Sequence, residues 1–479
     1  MPIILGANSA AVASGSNSCR FNTASSSELS RTPGGAGNLK KWTWSSWMKM
    51  APTAANHTYW ANSLFSCHSG GNYTEINFNN AGFMDFINVA SGAATGRRTA
   101  TQYFKDPTAW YSVIAVWDSD NGTAGQQMRL YINGTEVTAF SATTNPAGAN
   151  SIMNEAVETF VASSNGGGPF FDGYMAEICF IDGLALTPTS FGEFDSDTPT
   201  IFKPIDVSGL TFGTNGFYLD FKDSSDLGND AAGSNNYTPA GLTAADQATD
   251  TPDNNFCTLN PITPRNTGLT MDDGNCALAS TNAQWLGTSA TMAVSAGKWY
   301  AEWKYITGSG YNMKFGIVGN GGVDIAWLTA NVSYGGYSPI GYEYQYNNSG
   351  TGYRVNNNSS PAWTNGSFTA ADSIIMMAFD IDAGKIWWGR NGTWFNNTGT
   401  ANPATGTDAA TTGISSDDGP FVISCALEAN GSTGFTNFGG CSGFALSSEE
   451  TDGDGFGKFD YEPPSGFFSL CTKNLANYG

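Results

Sequence analysis

Charge is scarce in this chain: only 13% of its 479 residues are Asp, Glu, Lys or Arg, and two are histidine. Long apolar runs are missing as well, for no stretch approaches the roughly 20 residues that cross a bilayer as a helix. Membrane insertion by helices is therefore excluded. Met1 to Ala13 lacks the basic start and long apolar centre of a secretory signal, so the expectation is a soluble product made and kept in the cytosol. The eight cysteines (Cys19, Cys67, Cys179, Cys257, Cys276, Cys425, Cys441 and Cys471) contain no CxxC pair, which argues against structural zinc. They are expected to be reduced and buried. Catalytic patterns are equally thin. Nothing in the sequence sets His57 or His68 beside a serine or cysteine nucleophile, and no Glu-x-Asp-x-x-Glu strand aims two carboxyls at one sugar. The expected protein is not an enzyme and carries no cofactor, with bound Ca²⁺ as the one possibility left open.

What the chain does hold is glycine, 59 residues of it, and aromatic side chains at 13%. Asn, Ser and Thr fill much of the remainder, while strong helix formers are few. Turn chemistry throughout and few helix formers read as an all-β protein. At this length one core rarely serves the whole chain, so two or three domains are expected. Twenty basic against 41 acidic residues leave a formal charge of −21, which repels nucleic acid and anionic membranes at long range.

One hairpin is written twice. Val113 to Trp117 stops at Asp118, and a Gly-containing loop leads to Met128 to Ile132 and then to Asn133, Gly134 and Thr135. Ile374 to Phe379 stops at Asp380, turns through Ala383 and Gly384 into Lys385 to Arg390, and ends in Asn391, Gly392 and Thr393. Asn-Gly between alternating apolar runs marks a type I′ turn, which needs positive φ at both central residues. Two copies imply two β domains.

Arg20, Phe21, the Leu29 to Thr32 stretch, the Trp-rich strand at Trp42 to Met48, the Asn133-Gly134 hairpin and the run Asp172 to Ile178 together resemble a laminin G-like, concanavalin-type jelly roll. The resemblance implies two packed antiparallel sheets over roughly the first 195 residues. Farther on, Trp299 to Trp303, the Asp, Gly, Lys, aromatic, Asn and Gly signature between Ala378 and Asn391, and Asn437 to Gly439 resemble the SPRY domain. Between the two, the Asn-, Asp- and Gly-rich stretch from Phe202 to Arg265 resembles a connector of bacteriophage and marine-virus proteins. The expected layout is an N-terminal docking arm over 1–13, the jelly roll over 14–200, an ordered, mostly irregular connector over 201–268, and a SPRY-like sandwich over 269–479.

These resemblances imply a structural protein of a tailed-bacteriophage virion, assembled in the host cytoplasm with other virion proteins. A homo-oligomer is expected, with a trimer as the guess, although no heptad segment declares one. As a tail fibre or appendage it would bind host-surface glycan or protein. The alternatives are a purely architectural collar or capsid decoration and, less favoured, a polysaccharide hydrolase. Aromatic side chains in turn-rich loops suit sugar faces, so Trp327, Tyr337, Tyr342, Tyr344 and Trp363 are the candidate ligand contacts. Asp118 and Asp120 are the candidate Ca²⁺ ligands, because hard cations take several carboxylate and carbonyl oxygens. Asp380 and Asp382, also at a hairpin turn, are expected instead to cap backbone N–H groups.

Overall fold

The computed structural model describes residues 17–51, 62–262, 268–281, 285–307, 312–319, 341–346, 352–356, 362–363, 373–395, 400–428 and 431–479. The expected docking arm over 1–13 lies outside them. The chain forms two compact units that part between Asp253 and Asn254.

In the first unit the Trp-rich strand Lys41–Met50 is central to one antiparallel sheet. Trp110–Asp118, Met128–Ile132 and Thr135–Glu136 follow on one side, and Gly173–Asp182, Ser18–Phe21 and Gln247–Ala248 on the other. The second sheet runs Phe140–Thr144, Ala93–Tyr103, Phe83–Ala90, Asn72–Phe78, Ser63–Ser69, Thr159–Val161, Glu28–Arg31, Thr238–Ala240. Period two explains the packing: Trp42, Trp44, Met48 and Met50 enter the main core with Phe65, Phe86 and Trp117, whereas Trp47 packs elsewhere, with Phe202.

The expected connector is corrected by this topology. Phe217–Leu219 pairs with Gly173–Asp182, Thr238–Ala240 with Glu28–Arg31, and Gln247–Ala248 with Ser18–Phe21. Residues up to Asp253 therefore complete the first sandwich, and those from Asn254 belong to the second unit. Carboxylates order this Asn- and Asp-rich segment by collecting backbone N–H groups. Asp230 accepts from Tyr218, Ala232 and Asn235, and Asp246 caps Thr243. Two buried ion pairs lock its end: Arg20 to Asp246 at 2.9 Å and Lys49 to Asp250 at 2.7 Å.

The second unit repeats the plan. One sheet is ordered Leu269–Asp272, Ala277–Ser280, Thr433–Asn437, Lys298–Thr307, Ile374–Asp380, Lys385–Arg390, Thr393–Phe395; the other is Leu286–Val294, Phe421–Glu428, Asn312–Val318, Gly341–Tyr346, Gly352–Asn356, Ala362–Trp363. Its two ends are clasped together. Cys257 N donates to the Leu470 carbonyl, Thr472 N to that of Asn255, and the Asn254 side chain accepts from Lys473 N. All eight cysteines are buried, as expected.

Both written hairpins form as read, and they share more than the turn. Asn133 and Asn391 have φ of 47°, and Gly134 and Gly392 have 74° and 80°. In each copy the Asn side-chain oxygen accepts from a backbone N–H near the start of the neighbouring strand, Ser112 N or Ile374 N, at 2.9 Å. Each first strand ends in an Asp paired to the Lys that opens the strand on its other side, Asp118 to Lys41 and Asp380 to Lys298. Asp380 and Asp382 cap Ala383 N and Gly297 N. Asn133→Ala and Asn391→Ala lose both the clasp and a residue tolerant of positive φ. Each is expected to lower stability by about 1–2 kcal/mol, read as a shift in urea midpoint at unchanged slope.

Candidate ligand-binding face

The outer face of the Trp-rich sheet is closed by its own chain. Ile114, Val116, Tyr131, Cys179 and Ile181 are buried there beneath Phe191, Val207 and Tyr218. The second sheet of the same unit offers a different surface. Ile76, Phe78, Met84, Phe86 and Ala100 point into the core, so the alternate positions Tyr73, Glu75, Asn77, Phe83, Asp85, Ile87, Val89, Arg97, Thr99 and Tyr103 share the outer face, where Glu75, Asn77, Asp85, Ile87, Val89 and Thr99 are nevertheless buried.

At one end of that face Phe83 and Tyr103 stand opposite each other, with ring centroids 4.4 Å apart. Tyr103 is 50% exposed, and the Lys105 ammonium lies 5.1 Å from its ring centre. On the same face the Arg97 guanidinium forks onto Asp85, Nε to Oδ1 at 3.2 Å and Nη2 to Oδ2 at 2.7 Å. Thr99 donates to the same carboxylate and accepts from Arg97. The fork fixes a partly exposed guanidinium on the sheet face that also carries the exposed Tyr103 ring. A ring and a fixed planar donor make one apolar and one polar contact with a flat, hydroxylated ligand.

The other end holds a compact polar cluster. His68 Nε2 lies 2.8 Å from Glu75 Oε1 and 3.4 Å from the Ser164 hydroxyl, which itself donates to Glu75. Asn77 donates to the second Glu75 oxygen at 2.6 Å, and the His68 ring stacks on Tyr73. Burial pushes the Glu75 carboxyl up, but hydrogen bonds from His68, Ser164 and Asn77 outweigh it and hold the group below its ordinary range. The structure thus brings His68 beside a serine, which the sequence did not lead one to expect. The arrangement is nonetheless unlike a catalytic triad, because serine and acid meet the same imidazole nitrogen instead of opposite ones.

Tyr342, expected as a ligand contact, is corrected: it is 3% exposed within the second core, beside Ile317. Its strand alternates, and this residue falls on the buried side. Tyr344 stands opposite Phe315 and Trp363 opposite Gly352 in their ladders, but both side chains lie outside the described residues, as do Trp327 and Tyr337 entirely. Asp118 pairs with Lys41 at 3.3 Å and accepts from Asn121, and Asp120 pairs with Lys40 at 3.0 Å. Lysine ammonium groups occupy these carboxylates, and among the described residues no three His, Cys, Asp or Glu side chains gather to hold a metal.

Residues 22–190 match the concanavalin A-like lectin/glucanases superfamily. The match covers the strands of both sheets from Glu28–Arg31 to Gly173–Asp182, and with them the whole of the Tyr103 face. No curated protein matches the chain. Solved structures similar to it include the PSpry domain of TRIM65 (11% identity, 38% of this chain and 88% of that one, TM-score 0.29) and the SPRY domain of human HERC1 (13%, 39% and 99%, 0.26). A Bacteroides ovatus protein named for an expected carbohydrate-binding role is also similar (14%, 48% and 58%, 0.33).

Sequence reasoning placed its ligand contacts in the second unit and passed over the concanavalin-like one. A signal was present there. Tyr73-x-Glu75-x-Asn77 alternates polar or aromatic residues with the buried Thr74, Ile76 and Phe78, the pattern of a strand with one face that is not wholly apolar.

Proposed function

We propose that the chain is a non-enzymatic structural protein of a virion appendage, of tail-fibre type in a tailed bacteriophage, whose concanavalin-like unit binds host-surface glycan. One observation carries the glycan reading: the exposed Tyr103 ring, backed by Phe83, on the same sheet face as the guanidinium that Asp85 holds in place. The superfamily match over 22–190 supports a lectin-type role. The virion assignment rests on the sequence resemblances and on composition, since compact β domains of low charge suit an exposed particle. Oligomerisation, with a trimer as the working expectation, would let weak sites act together.

The test is binding of the full-length protein to host cells and their extracted surface glycan. Tyr103→Ala is expected to weaken binding about tenfold with thermal stability nearly unchanged, because the side chain is half exposed. Binding is expected to persist in a chelator, given the lysine-paired Asp118 and Asp120. Loss in Trp327→Ala or Trp363→Ala instead would move the site to the second unit, and absence of binding by a folded oligomer would overturn the glycan reading.

An architectural role without a host ligand is the second reading. It is favoured by Leu184, Phe194 and Ile201, which are 41%, 45% and 40% exposed on the first unit and suit burial against a neighbouring virion protein. Their protection from labelling in the assembled particle, with Tyr103 protected too, would support it.

A further inference from the structure

Five Asn-Gly pairs fall among the described residues, at Asn121, Asn133, Asn165, Asn215 and Asn391. The pair is chemically labile because the glycine nitrogen, unhindered by a side chain, can attack the preceding side-chain amide. Whether it does so in a folded protein depends on how firmly that amide is held.

Four of the five are held. Asn133 and Asn391 accept the clasp from the neighbouring strand. Asn121 donates to Asp118 and accepts from Thr123 N, and the buried Asn215 donates to the Gly35 carbonyl and to Asn154. Asn165 differs. It is exposed, it has φ of 56°, and its only hydrogen bond comes from its backbone N–H, to Ser66. It opens the run Asn165-Gly166-Gly167-Gly168, in which Asn165, Gly166 and Gly168 all have positive φ. The flexibility of three successive glycines lets Gly166 N reach the Asn165 side chain.

We infer that Asn165 is a site of spontaneous deamidation, and that the other four asparagines are protected by their hydrogen bonds. Gly166 N bonds to Asn165 Cγ, the Cγ–Nδ2 bond breaks, and ammonia leaves with the proton from Gly166 N. Water then opens the resulting succinimide at either carbonyl, giving aspartate or isoaspartate. The product places a new negative charge one residue from Ser164, which touches both Glu75 and His68. The charge state at this end of the sheet face thus changes with the age of the protein.

The experiment is peptide mapping by mass spectrometry of the full-length folded protein, aged in mildly alkaline buffer, with a sample aged in denaturant as control. Asn165 is expected to convert roughly tenfold or more faster than the four held sites, and all five at comparable rates in denaturant. Gly166→Ala should slow conversion in the folded protein. An unconverted Asn165 when the denatured control has reacted, or equal conversion at Asn133, Asn391 and Asn165 in the folded protein, overturns the inference.

Discussion

Asp250→Ala is expected to destabilise the first unit by about 3–5 kcal/mol, because it strands a buried ammonium without its counter-charge. Lys49 and Asp250 are each 1% exposed, their charged atoms are 2.7 Å apart, and the second Asp250 oxygen accepts from the Trp110 indole. Taking either charge alone out of water is costly, so the single variant is much worse than the loss of one interaction. Lys49→Met combined with Asp250→Leu removes both charges at similar volume and should recover most of the loss. The contrast between single and double variants, measured by denaturant unfolding, separates an uncompensated charge from simple mispacking. A double variant no better than Asp250→Ala would show that the site depends on the ions themselves.

The stability of the first unit is expected to fall as pH rises, with Glu177 as a principal cause. This residue sits at a bulge in Gly173–Asp182, with φ of 53°, and is 5% exposed. One of its oxygens accepts from the Tyr218 hydroxyl at 2.7 Å, and the other is buried without a hydrogen-bond partner. Burial, with Asp253 and Asp220 adding repulsion, pushes its carboxyl up to about 7. A carboxyl whose folded value lies above its unfolded one binds its proton more tightly when folded. Its contribution is thus complete below the unfolded value near 4.5 and is lost as pH rises through about 7, a swing of up to about 3 kcal/mol. Glu177→Gln keeps the Tyr218 contact and removes the titration. Compared with the parent between about pH 5 and pH 8, it should flatten the fall; an unchanged slope would assign the pH dependence elsewhere.

Glu302 makes an instructive comparison. Burial pushes it up to about 7 as well, but four donors face it: the Tyr300 hydroxyl, the Asn437 amide, Asp460 N and Tyr461 N. Neutral glutamine would turn an NH₂ towards two of these donors, so Glu302→Gln mixes a packing cost with the loss of titration. Glu177 is the cleaner probe.

Much of the architecture was legible because it is written in short-range chemistry. The Asn-Gly turns, the alternating Trp42 and Trp44, and the cap of Asp380 on Ala383 all depend on neighbours a few residues away. The segment from 202 to 253 was misjudged for the opposite reason. Its order comes from pairings with strands as distant as Ser18–Phe21 and from the ion pairs of Asp246 with Arg20 and of Asp250 with Lys49, which composition does not show. The site was partly hidden in the same way: Phe83 and Tyr103 meet only through sheet register, and Ser164 reaches His68 across 96 positions. Aromatic abundance drew attention to Tyr342, yet a strand of period two buries half of what it carries.

The clasp at the ends of the second unit has a mechanical consequence. Asn254 and Asn255 lie against Thr472 and Lys473, with Cys257 against Leu470 behind them, so both chain directions leave from the same end of a short antiparallel pair. Tension applied between those ends opens these bonds one after another, as a zipper, instead of shearing them together. Pulled at those ends, the chain is expected to lose first the Asn474 contacts of the helix Thr472–Tyr478 and then the clasp, lengthening before load reaches the two sheets behind it.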